Sequence, residues 1–208
     1  MLKSLAKLAS AAAVAATVIA TPALAASDRV ELLRHANETV NHLRHDPAFG
    51  TARTLIANAR AVYIVPKLVK GGFIFGAEGG DGVLLKRTAR GWSNPKFYGM
   101  GSASFGFQAG LEQAELVFII NSDRALRGIE GGNFKIGAGA GLTVVTLSGG
   151  AEGATTARGG DMTVWTSATG AYGGLTLNGS VIKADDEENA APRNGPMAEE
   201  LRHNLGSL

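Results

Sequence analysis

AVYIVPKLVKGGFIFGAEGGDGVLLKR at residues 61–87, then Thr88-Ala89-Arg90-Gly91 and WSNPKFYGMGSASFGFQAG at 92–110, is the stretch that sets the architecture. Short apolar runs alternate with glycine pairs, and basic residues stand at the joints. Ala61–Val65, Phe73–Ala77 and Val83–Arg87 read as strands, with Gly71-Gly72 and Gly79-Gly80-Asp81-Gly82 as the turns between them. A three-strand meander of this kind brings the end of its first strand and the end of its third to one rim. Lys67 and Lys70 would then meet Lys86 and Arg87.

Upstream the period is helical. In Ser27–Arg44, Val30, Leu33, Val40 and Leu43 fall on one stripe with Ala36 beside it, while Arg29, Arg34, Asn41 and Arg44 face away. Asp46-Pro47 ends that helix, and a second runs over about Gly50 to Arg60. Downstream, Ser102–Gly110 alternates in the manner of a barrel or sandwich strand, and ELVFIIN at 115–121 reads as a buried strand. Asn121-Ser122-Asp123 caps a short helix through Ile129, ended by Gly131-Gly132. Phe134–Leu147, Asp161–Ala168 and Leu175–Ala184 supply further strands. In the first of them, Gly137, Gly139 and Gly141 strip one face of side chains, for close packing, a bend or a ligand slot. The segment from Asp185 is polar, and Met197–Leu205 can form a terminal helix.

The expected class is α+β: N-terminal helices on a glycine-rich, strongly curved antiparallel sheet, with barrel-like closure left open. One domain spans residues 26–185, helical over 26–60 and β-rich over 61–185, with a polar tail at 186–208. Twenty-nine glycines, about twice the usual fraction, fit curved strands and tight turns.

Residues 1–25 have the form of a secretory leader. Lys3 and Lys7 precede an apolar run from Leu8 to Ala20, and Ala23-Leu24-Ala25 offers a cleavage site before Ala26. The expectation is an exported protein, periplasmic or peripheral to a bacterial envelope membrane. Absence of cysteine excludes disulfides, thiolate chemistry and lipidation at a cysteine. Without Lys3 and Lys7 the 20 basic residues become 18, equal to the acids, which argues against a nucleic-acid binder. The neutrality is uneven. Between Pro47 and Leu111 stand eight basic residues and two acids, Glu78 and Asp81. That segregation suits a face that meets anions, or a solvated edge with no partner.

Catalytic signals are sparse. No His or Cys lies between Asp46 and Arg202, and neither a G-x-S-x-G elbow nor a phosphate-binding glycine loop is present. Ser102 or Ser104 as a nucleophile is the enzymatic alternative. His42, His45 and Glu38 could share a helical face and hold a metal, but they also read as surface residues of an exposed flank. The expectation is therefore no enzyme, no cofactor and no metal.

Pro66-Lys67-Leu68-Val69-Lys70-Gly71-Gly72-Phe73, Gly79-Gly80-Asp81-Gly82-Val83-Leu84-Leu85 and Trp92-Ser93-Asn94-Pro95 resemble the SYLF domain, also called the Ysc84 actin-binding domain. The likeness continues through Ser104-Phe105-Gly106-Phe107-Gln108-Ala109-Gly110, Val117–Asn121, Phe134–Gly137 and Gly173–Val181, covering about Ala57 to Asp185. The resemblance implies a lipid-binding domain, with phosphatidylinositol binding and actin binding in eukaryotic members. For an exported bacterial protein, an anionic phospholipid surface is the natural counterpart, and actin is not expected as a partner. Lys67, Lys70, Lys86 and Arg87 would meet phosphate, with Leu68, Val69, Phe73 or the first helix adding apolar contact. The alternative is a structural or protein-interaction module of the periplasm that uses the same basic face.

Overall fold

The computed structural model describes residues 22–72, 75–105, 111–136, 143–147, 160–167 and 179–208. Phe73 and the Gly137–Gly141 run lie outside them. Helices α1 (Pro22–His45) and α2 (Phe49–Asn58) lead into a long hairpin of β1 (Ala61–Gly72) and β2 (Phe75–Thr88). Strands β3 (Gly91–Trp92), β4 (Lys96–Phe105) and β5 (Leu111–Ile120) follow, then helix α3 (Asp123–Glu130). The chain continues through β6 (Asn133–Lys135), β7 (Val144–Leu147), β8 (Met162–Thr166) and β9 (Val181–Ala184). It ends on helices α4 (Asp186–Ala190) and α5 (Pro196–Gly206).

The strand order is β6-β9-β4-β2-β1-β5-β8-β7, with β3 paired to β2. All the pairings are antiparallel except β7 with β8. Together with the helices this curls into a half-barrel of the α+β class. Ala61 to Val65 is buried at every position, because apolar layers cover both faces of the sheet. Val62 and Ile64 pack under α1, α2 and α5 with Leu33, Val40, Leu43, Ile56 and Leu201. Tyr63 and Val65 pack into the opposite face with Phe118, Met100 and Ile182, covered by Ile129 of α3. Each fully buried Leu, Val or Ile contributes about 1.5–3 kcal/mol, so both layers are needed to hold the sheet curled.

The curvature comes from one irregularity and two glycines. A one-residue shift in register with β5 falls between Val65 and Leu68, and the pairing with β2 shifts between Ile64 and Val69. The extra residue is a bulge around Pro66-Lys67, where a missing N–H is tolerated. Opposite it, a Cβ on Gly80 would lie 2.3 Å from the Lys67 carbonyl oxygen, and one on Gly82 2.6 Å from that of Ile64. Gly79–Gly82 is therefore not a turn. It is strand interior that approaches its neighbour too closely for any side chain, so two long strands replace the expected three.

Three further expectations change. Phe134–Leu147 does not form one strand: β6 and β7 stand at opposite edges of the sheet. The segment read as a polar tail belongs to the fold, because Ala198, Leu201 and Leu205 of α5 are buried in the helix-side core. Asn204 Nδ2 donates to Asn37 Oδ1 at 2.8 Å, tying α5 to α1. Finally, α1 overhangs the core at its N-terminal end. Leu33, Ala36, Val40 and Leu43 are buried as the stripe predicted, but Val30 is 55% exposed.

Candidate functional site

The long hairpin decides where the basic residues go. Lys67 sits at the bulge beside Gly80, whereas Lys86 pairs with Ala61 at the other end of the same two strands. Six residues of strand, roughly 20 Å, separate these positions. The single rim of Lys67, Lys70, Lys86 and Arg87 does not form, because the glycine run that was to turn the chain continues it instead. Lys67 is exposed and has no ion pair among the described residues. Lys70 stands in register with Glu78 on β2 and Glu112 on β5. Lys86 is committed elsewhere, its Nζ lying 2.7 Å from Glu130 Oε1. The Arg87 guanidinium donates to the Ile56 carbonyl at 2.6 Å and stacks 3.8 Å above the Trp92 ring. Partial burial there holds its pKa below the usual arginine value.

Among the described residues, three cavities lie on the helical side. The first, about 480 Å³, runs between the overhanging end of α1 and the connection from α4 to α5. Val30, Leu33, Phe97, Pro192 and Met197 make it apolar, and Arg29 and Arg193 stand at its edge. Arg29 Nη1 is held by Glu188 Oε2 at 2.7 Å. Among the described residues Arg193 has only a long bond, 3.4 Å, to the Asn189 carbonyl. Beside this groove is a smaller cavity of about 200 Å³, where Asp28, Asp81, Asp185 and Glu188 converge. Burial, then the charges of Asp185 and Glu188, raise the Asp81 pKa. Between the β2–β3 turn and the end of α5 is the third, about 360 Å³, lined by Arg90, Trp92, Arg202 and His203.

Sequence reasoning missed the groove. Its walls are 160 residues apart in the chain, and the only local signal was the punctuation of Pro192 and Pro196.

The other candidates have structural partners. His42 Nδ1 lies 2.9 Å from Glu115 Oε1, which also accepts from Thr39 Oγ1 at 2.7 Å, fastening α1 to β5. His45 Nδ1 lies 2.7 Å from the Asn41 carbonyl. Among the described residues no group of three or more His, Asp or Glu side chains is placed to hold a metal ion. Ser102 Oγ donates to Glu78 Oε1 at 2.7 Å, and Ser180 Oγ to the same oxygen at 3.0 Å. All four histidines lie on α1 and α5. The Ser104 side chain lies outside the described residues.

Residues 101–192 match the family model Ysc84, described as "Las17-binding protein actin regulator". The SH3 domain-containing YSC84-like protein 1 of Bos taurus is 32% identical over 168 residues, covering 79% of this chain and 48% of that protein. Protein YSC84 of Saccharomyces cerevisiae is 31% identical over 140 residues, 65% of this chain and 30% of its own. LAS seventeen-binding protein 3 of the same yeast is 26% identical over 168 residues, 76% of this chain and 36% of its own. The chain thus spans less than half of each of these relatives, of which the last is named as a binding protein. No solved structure matches it. With the family model matched at residues 101–192 and 32% identity over 79% of this chain to a YSC84-like protein, the chain belongs to the Ysc84 (SYLF) family.

Proposed function

We propose that this chain is a non-catalytic lipid-binding domain of the bacterial cell envelope, specific for anionic phospholipids. The observation that carries this reading is the groove beside Val30. An apolar trough edged by two guanidinium groups suits a molecule with a greasy body and a phosphate head. Val30 is the one large hydrophobic side chain strongly exposed among the described residues. Lys67, Lys70, Lys86 and Arg87 are auxiliary cations, worth about 1 kcal/mol each where they reach an anionic headgroup layer. Lys67 is the best placed of them, being exposed and without an ion pair. Export rests on the leader-like first 25 residues. Cleavage after Ala25 would leave a new α-amino group on Ala26, which lines the groove, and so add a third cation to its edge.

Co-sedimentation with phosphatidylglycerol or cardiolipin vesicles, against phosphatidylcholine, tests the reading. Binding should favour the anionic vesicles, and Val30→Asp and Arg193→Glu should each weaken it about tenfold, the equivalent of about 1.4 kcal/mol. Equal binding to neutral vesicles, or no effect of either substitution, would refute it. The family description favours a second reading, a protein-interaction module. In that case lipid-free envelope protein would be captured through the same groove, and vesicles would not compete.

A further inference from the structure

Arg29 stands between two cavities, because it lines both the apolar groove and the smaller acidic cavity beside it. Its Nη1 donates to Glu188 Oε2 at 2.7 Å, and among the described residues Glu188 is its side-chain partner. One such bond uses a single arm of a fork that can hold a carboxylate or a phosphate with two. Both side chains keep some exposure, 17% for Arg29 and 22% for Glu188, so a ligand in the groove can compete for the pair. In the lining of the acidic cavity Arg29 is the only cation, and it faces Asp28, Asp81 and Asp185 as well as Glu188. The short helix that carries Glu188 does not depend on this bond. An Asp185 side-chain oxygen caps α4 by accepting from the Glu188 backbone N–H at 2.9 Å. Asn189 Oδ1 accepts from the Phe97 N–H at 2.9 Å, and its Nδ2 donates to the Phe97 carbonyl at 2.7 Å, one residue beyond the pairing of β4 with β9. Those contacts pin α4 to the sheet and leave the Glu188 carboxylate to serve Arg29.

A carboxylate and a phosphate ester offer a guanidinium the same kind of charged oxygen pair. We propose that Glu188 is an internal competitor for the headgroup phosphate: it occupies Arg29 in the free protein, and an anionic phospholipid entering the groove displaces it. The inference rests on the reading of the groove as a lipid site. The four carboxylates hold Arg29 on the acidic side, so Arg193, with its one long bond, meets the phosphate first and Arg29 joins when Glu188 releases it. Affinity is thereby set below what two free guanidinium groups would give. Removing any acid near the groove also lowers the general repulsion of an anionic surface, so the test has to separate that effect from the release of Arg29.

Co-sedimentation of the full chain with phosphatidylglycerol vesicles at constant ionic strength gives the test. Glu188→Gln keeps the size of the side chain and the cap on α4, which uses the backbone N–H. It should tighten vesicle binding about fivefold, the upper range for a partly exposed ion pair. Glu187 is exposed, one residue away, and lines neither cavity. Glu187→Gln removes the same charge and should change binding less than about twofold. In an Arg29→Gln background the gain from Glu188→Gln should disappear, because the group it releases is gone. Unchanged or weaker binding by Glu188→Gln, an equal gain from Glu187→Gln, or a gain that persists without Arg29 would overturn the proposal. Val30→Asp keeps this inference apart from the reading beneath it. If Val30→Asp weakens vesicle binding while Glu188→Gln fails to tighten it, the competitor is refuted and the lipid groove stands. If the parent chain does not prefer anionic over phosphatidylcholine vesicles, both fall.

Discussion

Replacing Gly80 by alanine tests the reading of the central hairpin. Its Cβ would fall 2.3 Å from the Lys67 carbonyl oxygen and 3.0 Å from Val65 Cγ1. Neither neighbour can yield cheaply. The first is backbone at the bulge of a central strand, and the second is fully buried. Gly80 is not among the glycines of positive φ, so the cost is steric and not conformational. Overpacking of a rigid site costs about 1–3 kcal/mol, and a backbone obstacle puts this one near the top. With a urea m-value of about 2 kcal/mol/M, a loss of 3 kcal/mol lowers the unfolding midpoint by about 1.5 M. The comparator is Gly50 in α2, where a Cβ meets nothing within 4 Å. Gly50→Ala should stabilise by about 0.5 kcal/mol through the unfolded chain. Urea unfolding followed by circular dichroism reads both. A Gly80→Ala protein within 0.5 kcal/mol of the parent would mean that β2 does not cross β1 this closely, and the account of the curvature would fail.

Three other substitutions probe the sheet's attachments. Asp161 is held well below the usual carboxylate range, first by the Ser122 side chain, then by the Thr143 backbone N–H at 3.0 Å, with Arg124 also contributing. Because the folded-state pKa is depressed, the stability it contributes is present above about pH 4 and is lost as pH falls through the folded value. Asp161→Asn should therefore cost about 1 kcal/mol at pH 7, and the difference should close in acid, as measured by urea unfolding at several pH values. Asp81 has the opposite sign. Its raised pKa makes the charged form the unfavourable one, so Asp81→Asn should stabilise at neutral pH and lose that advantage in acid. More than a third of the residue is exposed, and screening keeps the gain to a few tenths of a kcal/mol. Glu115→Ala leaves the buried Thr39 hydroxyl without its acceptor and should lower stability by about 1–3 kcal/mol, visible as a shifted thermal midpoint.

The elements that local chemistry specifies were legible in the sequence. Ser122 caps α3 as expected, its side chain accepting from the Ala125 N–H at 3.2 Å. The ELVFII run is the buried part of β5, and Met197–Leu205 falls inside α5. Close approach between strands was not legible. Gly79-Gly80-Asp81-Gly82 has the composition of a turn, and only the neighbouring backbone of Ile64 and Lys67 shows that it is strand. Turn glycines and contact glycines look alike in one dimension, because a missing Cβ serves both.

That single ambiguity carries through to the candidate site. Read as a turn, the glycine run folds the third strand back beside the first, and four cations converge. Continued as strand, it sends them to opposite ends of a hairpin, where Lys86 is tied to Glu130 and Arg87 to Trp92 and the Ile56 carbonyl. The charge segregation seen in the sequence therefore supplies no common rim. The apolar groove depends on α5, in a segment whose polar composition suggested a tail. Leu201 and Leu205 dock that helix on the core, and in doing so α5 brings Met197 up to Val30 at one end and Arg202 up to Trp92 at the other. Detaching it, for instance with Leu201→Asp, should abolish the vesicle response outright, whereas Val30→Asp or Arg193→Glu weakens it only about tenfold.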